Sequence, residues 1–223
     1  MTLKTYIKNK KQKHYRIDNI DVEETDEATS DIDVPNVIKS VLKKIPSHLL
    51  VNIKNIKIGS FEVLRKREIQ AMYKDSTVFV TNIQNDSKDL LDDIIHEVAH
   101  SVEEVYQKEI YSDGILEAEF LRKRKEMWQT LKSRGLEYKL DLFLNPKYTE
   151  QFDNLLHREI GYETLRTLMY GIYYSPYAAT SLREYFANGF EAFFMKEEVS
   201  RLKRISPVLY KKIIILLDKK DEI

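Results

Sequence analysis

The chain has 223 residues, enough to bury one sizeable core, or one core with a small appendage. Its 36 lysines and arginines balance 36 aspartates and glutamates, so no global field favours nucleic acid or an acidic membrane. Cysteine is absent, which excludes disulfides, thiolate metal ligands and a cysteine nucleophile. Any bound metal must rest on His, Asp or Glu.

Residues 1–33 begin basic and turn acidic at DVEETDEATSDID. With few large apolar side chains there, the segment reads as a flexible, charged leader, a propeptide or an interaction tail with its own docking partner. It has no apolar core or small-residue cleavage site of the secretory type, and no run of about 18 apolar residues follows anywhere. The expected compartment is the cytoplasm, with release by lysis, carriage in a virion or specialised export as other routes. Pro35 opens a short helix to Lys44, closed by Ile45-Pro46. From Leu49 to Ile58 the pattern is strand-like, and KREIQAMY (66–73) with STVFVTN (76–82) reads as an antiparallel hairpin turning at Lys74-Asp75. Asp86-Ser87 then caps a helix over Asp89–Tyr106. Beyond it the pattern is helical over 115–131, 151–173, 177–195 and 207–217, with Gly161 as an interruption. The expected fold class is α+β, a small antiparallel or mixed sheet followed by a mostly helical domain over 34–223.

The helix at 89–106 contains His96-Glu97-Val98-Ala99-His100. Residues four apart share a helix face, so both imidazoles can be aimed at one point, with Glu97 beside them to take a proton from water. Chance produces His-Glu-x-x-His in roughly one chain of this composition in a hundred. Two structural histidines on an amphipathic helix are therefore the bland alternative. Leu90, Leu91, Ile94, Ile95, Val98 and Val102 set the histidines at the edge of a packed face, which favours the metal reading. Asp92, Asp93 and Glu103 are candidate partners for the imidazoles.

A catalytic zinc needs three protein ligands and an open position. Glu184 is the favoured third, because SLREYFANGFEAFF surrounds it with aromatic residues, where a carboxylate is costly to bury unpaired. Glu191, on the same helix, and His157, in DNLLHRE, remain alternatives. Small Ala187 and Gly189 would let a second helix approach closely.

The segment YSPYAATSLREYFANGFEAFF, taken with HEVAH, resembles the active-site region of the anthrax lethal factor-like zinc metallopeptidases, a gluzincin group that includes the Pro-Pro endopeptidases. The resemblance covers roughly residues 47–106 and 172–196. It implies one zinc per chain on His96, His100 and Glu184, Glu97 as general base, and Tyr177 as a phenol donating to the oxyanion. It also implies an edge strand over the cleft, at 77–82, and a protein or peptide substrate. Glu184 lies 84 residues past His100 (184 − 100), more than the family's usual separation, which suggests a helical insertion around 110–155. Two other readings share HEVAH. One is a mobile-element protease of the repressor-cleaving type. The other is a non-catalytic, zinc-stabilised module associated with a virion or toxin, with Tyr170–Tyr174 as its contact surface.

Overall fold

A computed structural model describes residues 12–28, 31–196 and 199–219. The first strands, β1 (Lys13–Ile17) and β2 (Ile20–Glu24), form an antiparallel hairpin, and helix α1 (Val34–Lys44) follows. Then come β3 (Asn55–Ile58), α2 (Glu62–Arg67), β4 (Ala71–Lys74) and β5 (Thr77–Val80). The rest is helical: α3 (Ser87–Tyr111), α4 (Ile115–Ser133), α5 (Glu150–Asn154), α6 (Tyr162–Leu168), α7 (Leu182–Met195), α8 (Val199–Ile205) and α9 (Pro207–Asp218). The fold is α+β: a mixed five-stranded sheet followed by helices. No helix among the described residues is long and apolar enough to cross a membrane.

The chain divides into two compact units, Met1–Val105 and Tyr106–Ile223. In the first, the strand order is β1-β2-β3-β5-β4, with parallel pairs in the middle and an antiparallel hairpin at each end. Alternation does the sorting: Ile20, Val22, Ile56, Ile58, Val78 and Val80 are buried, while Glu23 and Lys57, opposite each other on β2 and β3, pair at 2.8 Å on the wetter side. Helix α1 starts where expected: Asp33 caps it by accepting from the Asn36 N–H, with Pro35 in the first turn.

Three expectations change here. The acidic stretch is no loose leader over residues 13–24, because Ile20 and Val22 bury their side chains and β2 pairs along its whole length with β1 and over residues 21–24 with β3. Residues 1–11 and 29–30 lie outside the described set. Residues 66–67 end α2, which Glu68 closes in a left-handed conformation (φ 54°), and the strand begins only at Ala71. The β4–β5 turn falls one residue later than expected, at Asp75-Ser76, both with positive φ (50° and 58°), as a two-residue hairpin of matching twist requires. Paired with β3 on one side and β4 on the other, β5 is interior, and the edge strand at that end is β4.

In the second unit, α4 contributes to the core. Leu116, Phe120, Met127 and Leu131 are buried, and so are Glu119, Lys123 and Arg124 from its charged sequence. Each charge has a task. Glu119 accepts from the Tyr185 hydroxyl at 2.9 Å and from the Val208 and Leu209 N–H groups at 2.9 and 3.1 Å, which caps the start of α9. Lys123 donates to the carbonyls of Ile172 and Ile205 and lies near the rings of Tyr173 and Tyr185. Arg124 spans the carbonyls of Leu142 and Thr180 and stacks 3.7 Å from the Phe152 ring centroid. The close approach expected at Gly189 is to α9: an added Cβ would lie 2.8 Å from Leu209 Cγ. The tyrosine-rich stretch is not one exposed surface, because Tyr173 is buried while Tyr170 faces outward under the Arg201 guanidinium.

Candidate metal centre

Helix α3 runs longer than its apolar pattern, from Ser87 to Tyr111, with a non-helical residue at Tyr106 (φ −109°, ψ 27°). Asp86 Oδ1 accepts from the N–H groups of Lys88 and Asp89 at 2.7 and 3.0 Å, so the start of the helix is capped by the residue expected to cap it. Leu90, Ile94, Ile95, Val98, Ala99 and Val102 are buried, and this packing fixes the helix about its axis. His96 and His100 therefore emerge together, both half-buried, with ring centroids 5.3 Å apart.

Glu184 sits in the first turn of α7, whose N-cap Ser181 accepts from the Glu184 N–H at 3.1 Å. One ligand atom each from His96, His100 and Glu184 lie within 4.8 Å of one another, so these three side chains form a group that could hold a metal ion. Glu191 and His157 are not members of the group. His157 lies instead in a π-helical turn (155–160), against the ring of Tyr162 with centroids 5.1 Å apart.

The donor chemistry of His100 fits a metal. Its Nδ1 is 2.7 Å from Glu103 Oε2, and Glu103 is almost wholly buried. An ionised carboxylate only accepts, so Nδ1 carries the proton and Nε2 keeps its lone pair for the ion. Of the three acidic candidates, Glu103 thus meets His100, and Asp93 accepts from Gln84 Nε2 at 2.8 Å.

Glu97 is buried, 7% exposed, and its Oε2 accepts from the backbone N–H of Tyr73 in β4 at 2.6 Å. The Tyr73 phenol donates to Glu104 Oε2 at 2.7 Å, and Asn52 Nδ2 donates to both oxygens at the same distance. Partial burial together with the Glu104 carboxylate pushes the Tyr73 phenol up to about 12. None of these three residues was singled out from sequence; the one available signal was Glu104 recurring seven positions after Glu97, on the same side of the helix. Tyr177 stands in a one-turn 3₁₀ segment (177–179) ahead of α7, its side chain partly exposed and its carbonyl accepting from Thr180.

No protein-family model matches the chain, and no curated protein or solved structure shows significant similarity to it.

Proposed function

We propose that this chain is a zinc-dependent endopeptidase of the gluzincin kind, with His96, His100 and Glu184 as the protein ligands. The observation that carries this reading is the convergence of two imidazoles and a carboxylate, within 4.8 Å of one another, with a glutamate directly following the first histidine. A purely structural zinc site has no use for Glu97, and the buried Glu103 hydrogen bond to His100 is the outer-shell support that ligating imidazoles ordinarily have.

Bound by these residues, zinc supplies Lewis acidity, polarising a peptide carbonyl and bringing a water's pKa towards ~7. Glu97 takes the proton from the attacking water and returns it to the leaving amine. In this reading Tyr177 donates its phenol hydrogen bond to the developing oxyanion, a role that rests on the resemblance to lethal factor-like peptidases. The substrate is an extended peptide, and the strand suited to pair with it is β4 rather than β5, since β5 has no open edge.

The test is stoichiometry followed by turnover. Metal-replete protein should carry about one zinc per chain, and Glu184→Ala should lose it. Digestion of a denatured protein mixture should stop on chelation. Glu97→Gln should keep zinc and lose hydrolysis. Parent protein that takes up no zinc overturns the proposal.

A further inference from the structure

We infer that Tyr73 is a positioning residue for Glu97, acting through its backbone N–H on edge strand β4. The inference rests on the reading of Glu97 as general base, and it deepens that reading by naming what holds the base in place.

The hydrogen-bond register of the β4–β5 hairpin carries the argument. The Thr81 N–H bonds to the Gln70 carbonyl at 2.8 Å, and residues 71–74 lie opposite 80–77. In an antiparallel pair, bonded and non-bonded positions alternate. Residues 70, 72 and 74 therefore turn their polar groups toward β5, while Ala71 and Tyr73 turn theirs to the free edge. An edge N–H ordinarily faces water or an incoming strand. At Tyr73 it instead meets Glu97 Oε2 at 2.6 Å. Glu97 has left most of its hydration behind, and a backbone donor is the replacement least able to rotate away.

The strand is itself held at the right height. β4 has only four residues, so its hairpin alone positions it weakly. The Tyr73 phenol, bonded to Glu104 and Asn52, fastens the same residue to α3 about two turns beyond Glu97. One residue thus joins strand to helix at two levels, and the base sits at the lower one. The same arrangement keeps the Tyr73 N–H out of backbone pairing with a bound peptide, leaving Ala71 and the Tyr73 carbonyl for it.

Two measurements test this. In the full-length protein, hydrogen exchange of the Tyr73 amide should be protected, and Glu97→Ala should accelerate it about tenfold or more. The Met72 amide, bonded to β5, should change by less than about twofold. An unprotected Tyr73 amide, or one indifferent to Glu97→Ala, overturns the inference whatever the activity. The second comparison is Tyr73→Pro against Tyr73→Ala. Both lack the phenol and only proline lacks the N–H, a loss that an outward edge position tolerates. Zinc affinity should agree within about twofold, with kcat about tenfold or more lower for the proline variant at similar KM. Equal kcat values overturn the positioning role. A parent that hydrolyses nothing, yet shows the Tyr73 amide protected by Glu97, overturns the peptidase reading and with it the base, while the strand–carboxylate contact stands.

Discussion

Glu103→Ala should weaken zinc binding by about 10- to 100-fold, or about 1.4–2.7 kcal/mol. The magnitude follows from the contact. Glu103 Oε2 and His100 Nδ1 are 2.7 Å apart, and the two side chains are only 5% and 11% exposed, so solvent screens the pair little. Without the carboxylate the imidazole can carry its proton on either nitrogen, and that freedom alone costs roughly RT ln 2, about 0.4 kcal/mol. The remainder comes from lost ring orientation and from lost polarisation of Nε2 by the anion. Glu103→Gln keeps an acceptor at the same reach but not the charge, so its loss should fall at the low end, about tenfold or less. The assay is competition against a chromogenic chelator at fixed pH, with thermal melts establishing that each variant is folded. If folded Glu103→Ala binds zinc within about twofold of the parent, the argument from this hydrogen bond is wrong.

Gly189→Ala should overpack α7 against α9, since the new methyl would press on Leu209. The cost is about 1–3 kcal/mol, read as a Tm lower by several degrees and partly restored by adding Leu209→Ala. Arg124→Lys cannot span the Leu142 and Thr180 carbonyls or stack on Phe152 as the guanidinium does, and should lose about 1–3 kcal/mol in denaturant unfolding. Burial lowers the Lys123 ammonium to about 8, below its unfolded value near 10.4. Between those pH values the unfolded chain binds more protons, so this residue's contribution to stability rises with pH from about 8 to about 10.4 and is flat below 8. The stability of Lys123→Met relative to the parent should therefore fall over that window, and a difference independent of pH would contradict the assignment.

The sheet-then-helices order and the His-Glu-x-x-His helix were legible because both rest on local periodicity: alternation at Ile56 and Ile58, and a 3.6-residue repeat through Ile94, Ile95, Val98 and Val102. Glu184 was legible for a different reason. Its aromatic neighbours, Tyr185, Phe186 and Phe190, are all buried, and a carboxylate amid them needed a partner. The hairpin at 13–24 was missed because its acidic residues hide two inward positions, Ile20 and Val22, and β2 needs partners on both sides to form. The interior place of β5 was likewise out of reach, since parallel pairing with β3 across an intervening helix and strand leaves no local trace. Lys123 and Arg124 looked like part of a solvated basic run, and only the carbonyls they bridge, 18 to 82 residues away, explain their burial.

Helix α3 separates two tasks by angle. At about 100° per residue, His96, His100 and Glu103 fall within an arc of about 60°, while Glu97 and Glu104 lie within about 20° of each other on the neighbouring stripe. One stripe serves the metal group and the other holds β4 through Tyr73. A disturbance of the strand should therefore reach Glu97 without moving His96 or His100. Asn52→Ala is the mildest such disturbance, because the Asn52 side chain bonds the Tyr73 phenol, Glu104 and the Ser76 hydroxyl and not Glu97 or the histidines. It should cost about 1 kcal/mol in stability at this partly exposed position. Zinc affinity should stay within about twofold of the parent, whereas kcat falls. Glu103→Ala should show the opposite order, with affinity lost first. If Asn52→Ala weakens zinc binding as much as Glu103→Ala does, the two stripes are not independent, and the helix transmits the strand's position to the ligands as well as to the base.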